Sequence, residues 1–239
     1  MAVILNIETS NTACSVALTT EGMILRHLEN ADGRNHAATL SGFIKEMLDF
    51  AAEKEIKPEA VAVSMGPGSY TGLRIGLSEA KGLAYGLDIP MIGISTLELM
   101  TTHVMFSVDN LPDDAIFVPM LDARRMEVYT AAYDFSLLPL ISPTPLVLDA
   151  EKQPYNDLLA TGRPILFFGN GMPKWRESLG VEKPVNALFI DDVEPLAIDM
   201  TALSERAYAK REFLDTAYST PVYLKDFQAT KPKNRVLSF

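Results

Sequence analysis

Glu8 closes an apolar run and is followed at once by Thr9, Ser10, Asn11 and Thr12. A carboxylate at the end of a buried strand, with hydroxyls and an amide in a tight turn behind it, can hold a phosphate or a metal-bound phosphate. Successive backbone N–H groups in such a turn form an anion nest. A plain polar hairpin turn fits the same residues. Further on, Met65 leads into Gly66-Pro67-Gly68-Ser69-Tyr70-Thr71-Gly72-Leu73-Arg74. Glycines let a backbone approach closely, and a helix behind the loop would offer free N–H groups and a positive dipole end to an anion. The run is not a dinucleotide fingerprint, because Gly68 and Gly72 enclose three residues where that pattern has two. Nor is it a Walker loop, since no Gly-Lys-Ser/Thr follows. A phosphate cradle built on Gly66, Gly68, Ser69, Thr71 and Gly72 and a structural strand-to-helix turn both remain open. Asp122-Ala123-Arg124-Arg125 could likewise clamp an anion or form a charged turn held by salt bridges.

Other chemistries lack their residues. The histidines are His27, His36 and His103, and the position one helical turn after His36 is Leu40, so a metal pair on that helix face is not formed. Cys14 lies mid-strand between Ala13 and Ser15 and reads as a small core residue rather than a thiolate nucleophile. There is no Gly-x-Ser-x-Gly elbow and no credible triad. No cofactor and no metal are expected.

The elements that must position these segments follow from periodicity. Residues 2–8 read as a strand buried on both faces. A second strand over 13–18, a Glu21-Gly22 turn and a third strand over 23–28 follow. Leu40, Phe43, Ile44, Met47, Leu48 and Ala51 recur at helical spacing within 35–53. Residues 60–65 form a strand that runs into the glycine loop, and a helix is expected over about 73–85. Its small residues Gly76, Ser78, Ala80, Gly82, Ala84 and Gly86 suggest close approach, to the sheet on one face and to another chain on the other. A strand over 90–94 and a helix over 97–105, capped by Thr96, complete the first half. The polar stretch 109–114 marks a boundary. The second half opens again with strand (116–121), turn (Asp122 to Arg125) and strand (127–133). Pro139, Pro143, Pro145, Pro154 and Pro164 are read in extended or loop positions. A strand over 165–168 and a helix over 201–213, capped by Thr201, follow. Two halves with the same opening indicate a duplicated α/β architecture with mixed sheets.

With 239 residues, 48% of them hydrophobic, the chain can bury real cores. Its formal charge of −10 makes it a poor RNA binder by itself. Lys225, Lys231, Lys233 and Arg235 nonetheless make the tail basic, which reads first as a solvated end. A single cysteine, no signal-peptide pattern and no membrane-length apolar run lead to the expectation of a cytoplasmic protein.

Taken together, Ile4-Leu5-Asn6-Ile7-Glu8-Thr9-Ser10, the run from Gly66 to Gly76, Ala80-Lys81-Gly82-Leu83-Ala84, Ile94-Ser95-Thr96-Leu97, Asp122-Ala123-Arg124-Arg125 with Glu127-Val128-Tyr129, and Pro221-Val222-Tyr223-Leu224-Lys225 resemble the TsaB (YeaZ) family in order and spacing. The resemblance is good over about residues 1–133 and weak over 134–200. It implies an actin-like (ASKHA, RNase H-like) duplicated two-lobe fold, with mixed sheets flanked by helices. The lobes would comprise residues 1–108 with about 200–228, then 109–199, with a basic tail at 229–239. It implies a non-catalytic relative of TsaD, the subunit with a His-x-x-x-His metal pair, acting in tRNA threonylcarbamoyladenosine synthesis. The implied partners are TsaD, as a heterodimer, and the ATPase TsaE, with a second copy of the chain when alone. tRNA would be met only through the complex, and no membrane is involved. The implied partner face is built by the two helices of the first lobe, here His36, Leu40, Phe43, Met47, Arg74, Leu77, Ser78, Lys81, Gly82 and Tyr85. Glu8, Thr9 and Ser10 would be a degenerate phosphate corner. A glycoprotease-like metallohydrolase and an actin-like small-molecule kinase are the alternatives.

Overall fold

The computed structural model describes residues 2–32, 36–149, 154–180 and 183–225. The expected basic tail at 229–239 and the side chain of His36 lie outside them.

The first sheet contains β1 (Ile4–Glu8), β2 (Cys14–Thr20), β3 (Met23–Asn30), β4 (Ala60–Gly66) and β5 (Met91–Ser95), in the order β3-β2-β1-β4-β5. β1 is antiparallel to β2 and parallel to β4. The hairpin after β2 turns at Glu21 and Gly22, both with positive φ, which matches the right-handed twist of the strands it joins. The second sheet contains β6 (Ile116–Asp122), β7 (Glu127–Tyr133), β8 (Pro139–Val147), β9 (Ile165–Phe168) and β10 (Ala187–Ile190), in the order β10-β9-β6-β7-β8. Again the first strand is antiparallel to the second and parallel to the fourth. Read from the other edge, the two sheets have one topology, so the chain is a duplicated two-lobe α/β fold.

Alternation along each strand sends side chains to two layers. Leu5, Ile7, Val61 and Val63 face α1 (His36–Glu53) and α2 (Tyr70–Leu87). Ile4, Ala60, Ala62, Ile92 and Ile94 face the opposite way, toward Leu203 and Ala207 of a late helix. α3 (Thr96–Ser107) lies between the lobes. Leu97, Met100 and Val104 pack on the second sheet, while Leu99 packs on the first. The outer face of the second sheet is covered by α4 (Asn156–Leu159) and α5 (Met172–Ser178), through Leu158, Met172 and Trp175. A 3-10 turn (Ala197–Met200) then leads into α6 (Thr201–Lys210).

Several expected boundaries are corrected. α2 starts at Tyr70, because the Ser69 hydroxyl accepts a hydrogen bond from the Gly72 N–H at 3.2 Å. Ser95, not Thr96, caps α3, accepting from the Glu98 N–H, and Thr96 is its first residue. Thr201 is not a side-chain cap: its hydroxyl donates to the Ile198 carbonyl at 2.6 Å. α6 stops at Lys210, since Arg211 turns left-handed. Pro139, Pro143 and Pro145 sit inside β8, the edge strand of its sheet, where a missing N–H need not break a ladder.

After α6 the chain runs back as a strap. Leu214 bridges the edge of β5, its N–H donating to the Met91 carbonyl at 2.8 Å. Ala217 accepts from Lys81 of α2, and the Val222 N–H donates to the Met65 carbonyl. Tyr223 lies 5.0 Å, centroid to centroid, from Tyr70 and accepts from Arg74 Nε at 2.9 Å. Lys225 then pairs with Glu127 of β7, so the strap touches both lobes.

Candidate functional site

The corner at the end of β1 is filled by the protein itself. Glu8 is fully buried, and one of its carboxylate oxygens accepts the Ser10 N–H. Thr9 donates its hydroxyl to the Gly72 carbonyl at 2.8 Å, and the Ser69 N–H donates to the Ser10 carbonyl at 2.6 Å. A Cβ on Gly68 would lie 2.3 Å from the Ser10 carbonyl oxygen, and one on Gly72 would lie 2.0 Å from that of Thr9. On Gly76 it would lie 2.3 Å from the Thr9 hydroxyl. These glycines let the loop and the first turns of α2 seat directly on the Thr9-Ser10 turn. Gly66 has a positive φ, and a side chain there would strike the Val222 carbonyl of the strap. The loop and the first turns of α2 are thus packed directly on the Thr9-Ser10 turn, while Ser10 and residues 67–71 also line the cleft between the lobes. Removal from water, only partly offset by hydrogen bonds from Ser10 and Ser64, pushes the Glu8 carboxyl up to about 7.

Outward from this corner the first lobe presents α1 and α2. Among the residues expected on a partner face, Arg74, Ser78, Gly82 and Tyr85 are exposed, Tyr85 by 87%. Lys81 and Phe43 are half-buried. Leu40, Met47 and Leu77 are corrected: they pack in the core against Leu5, Val16 and Val63. The large apolar residues at helical spacing mark the side toward the sheet, and the small ones mark the side away from it. Ala38, Ser41 and Gly42 of α1 are exposed, and nothing lies within 4 Å of a Cβ built on Gly42, Gly82 or Gly86. Ser41 donates to Glu79 at 2.5 Å, fastening α1 to α2. The Arg74 guanidinium lies 4.1 Å from the Tyr70 ring centroid, so part of its surface is engaged by α2 and the strap. Sequence reasoning missed Ala38, Ser41 and Gly42, although small residues four apart beside a large apolar stripe carried the signal.

Between the lobes lies a cleft of about 910 Å3, with Asn11 and Thr12 on one wall and Asp122 to Arg125 on the other. Asn11 spans it, accepting from Asn170 at 2.9 Å and donating to Glu194 at 2.5 Å. No helix among the described residues is long and apolar enough to cross a membrane.

One strand topology used twice around a shared cleft defines a two-lobed α/β protein with mixed five-stranded sheets, here with its Thr9-Ser10 turn packed against the glycine loop. Its relatives narrow the class. A protein of Escherichia coli (strain K12) described as tRNA threonylcarbamoyladenosine biosynthesis protein TsaB is 32% identical over 233 residues, spanning 95% of this chain and 96% of its own. The Bacillus subtilis (strain 168) protein of the same description is 32% identical over 169 residues, 70% of each chain. The structure of YeaZ from Pseudomonas aeruginosa superposes with a TM-score of 0.77 at 27% identity, covering 94% of this chain and all of that one. Residues 28–138 match the family described as TsaD, tRNA N6-adenosine threonylcarbamoyltransferase. The chain belongs to the TsaB family of tRNA threonylcarbamoyladenosine biosynthesis proteins.

Proposed function

We propose that this chain serves tRNA threonylcarbamoyladenosine biosynthesis as a non-catalytic partner subunit, docking on TsaD through the exposed face of α1 and α2 and working with the ATPase TsaE. Without TsaD, the same face pairs two copies. The observation that carries the reading is the contrast between the two ends of α2. At its start, Gly72 and Gly76 are consumed in seating the helix on the Thr9-Ser10 turn, and beyond them Gly82 and Gly86 stand open with Tyr85 between them. Exposed glycines weaken a helix, and a second backbone packed closely on them offsets that loss. Tyr85 is a residue type that anchors interfaces. The net charge of −10 supports RNA contact by the complex rather than by this chain.

The test pairs binding with stability. Gly82→Glu places a charged side chain on open surface, so the melting temperature should stay within a degree or two of wild type while co-purification with TsaD is lost. Modification of tRNA by purified TsaD and TsaE should fall when this chain is omitted. Undiminished TsaD binding by the variant, or full modification without the chain, would overturn the proposal.

A further inference from the structure

Thr71, Arg74, Ser78, Gly82 and Tyr85, three and four residues apart, form one exposed stripe along α2. Arg74 is the cation on that stripe, and it is held in place. Its guanidinium lies 4.1 Å from the Tyr70 ring centroid and 5.9 Å from that of Tyr223, and its Nε donates to the Tyr223 hydroxyl at 2.9 Å. Tyr223 is fixed in turn, because the Val222 N–H donates to the Met65 carbonyl at 2.7 Å and Lys225 pairs with Glu127. The two terminal nitrogens of Arg74 have no hydrogen bond or ion pair among the described residues. Arg74 lines a groove of about 670 Å3 that Ala37 of α1 and Thr71, Ser78 and Glu79 of α2 also line. Glu79 does not use it: that carboxylate accepts from the Ser41 hydroxyl and makes no ion pair with Arg74 among the described residues.

We propose that Arg74 receives a carboxylate, an Asp or Glu side chain, from the partner docked on α1 and α2, and that Tyr223 of the strap is the positioning residue that holds the guanidinium for it. This assignment rests on the docking face proposed above, and adds to it the chemistry of one contact and a role for the strap. A guanidinium stacked on a ring and bonded through Nε has lost much of its freedom, yet keeps the paired donors that a carboxylate matches. Covering those donors with a partner that offers no acceptor would leave a desolvated charge unpaired. Glu79 in the same groove disfavours a multiply charged free anion, whereas a carboxylate fixed on a docked helix can sit at the Arg74 end.

The test is titration calorimetry of the whole chain with purified TsaD, with melting curves to confirm that each variant is folded. Arg74 is exposed, so its variants should fold as wild type does. Arg74→Gln should weaken TsaD binding about tenfold or more. Arg74→Glu should weaken it further by setting like charges together, and Arg74→Lys should recover only part, since an ammonium cannot fork. Added sodium chloride should weaken the wild type more steeply than Arg74→Gln. Tyr223→Phe keeps the ring and removes the hydroxyl. It should weaken binding about threefold in the wild-type background and not at all in the Arg74→Gln background. The Arg74 Nε–H resonance should also exchange faster with solvent in Tyr223→Phe. An equal loss on Tyr223→Phe in both backgrounds would mean a strap loosened in general and overturns the positioning role. Wild-type affinity in Arg74→Gln, or Arg74→Glu binding as well as Arg74→Gln, overturns the carboxylate assignment and leaves the docking face standing. A wild type that does not bind TsaD overturns both.

Discussion

Glu8→Gln should make the protein more stable at alkaline pH and barely change it in mild acid. Burial raises the folded-state carboxyl from 4.5 to about 7. The folded chain therefore binds a proton more readily than the unfolded one. An acid of this kind lowers stability progressively as pH rises from the unfolded value through the folded one, and the loss levels off above it. The difference of about 2.5 pH units corresponds to roughly 3 kcal/mol above pH 8. At pH 5 most of the folded-state carboxyl is protonated, and the loss is under about 1 kcal/mol. Glutamine keeps the oxygen that accepts the Ser10 N–H, and its amide can donate to the Ser10 or Ser64 hydroxyl without carrying charge. For a chain of this size, about 3 kcal/mol is a rise of roughly 6–12 °C in melting temperature. Differential scanning calorimetry of both proteins from pH 5 to pH 9 reads it directly. Only the difference between them is diagnostic. His103, raised by its hydrogen bond to Asp199, and Glu98 and Glu194, raised by partial burial, tilt both curves the same way. A gap equal at pH 5 and pH 9 would mean a packing effect and would refute the electrostatic reasoning, as would a variant no more stable at pH 9.

Two further substitutions on α2 should part in sign. Gly72→Ala drives a methyl group to 2.0 Å from the Thr9 carbonyl oxygen and should cost about 3 kcal/mol or more in urea unfolding. Gly82→Ala meets nothing and should gain about 0.5–1 kcal/mol. Leu40→Ala and Met47→Ala, both in the core, should each lose about 2–5 kcal/mol. Their TsaD affinity should be unchanged at temperatures where they remain folded.

The hairpin at Glu21-Gly22, the strand that delivers the glycine loop and the repeated strand–turn–strand opening were all legible, because local spacing specifies them. The reason for the glycines was not. Gly68 and Gly72 are required by a turn about sixty residues earlier in the chain, and no local pattern reports such a contact. Three residues of α1 and α2 were placed on the wrong side for a related reason. Periodicity locates an apolar stripe but does not say whether sheet or partner covers it, and Leu40, Met47 and Leu77 belong to the sheet. β8 escaped because proline opposes strand formation everywhere except at an edge, and edge position is a tertiary fact. The strap was readable only as a terminal motif, since its stitches reach Met65, Arg74, Lys81, Met91 and Glu127, each far away in sequence.

That late return of the chain bears on how the molecule matures. β5 is one of the two edges of the first sheet, β3 being the other, and Leu214, which bridges it at Met91, emerges from the ribosome only after the entire second lobe has been made. A nascent first lobe, however well formed, must wait with an unpaired strand exposed, the arrangement that invites pairing with neighbouring chains. Termination after α6 but before Leu214 would leave both sheets and their helices intact and that edge bare, so such fragments should precipitate more readily than the whole chain.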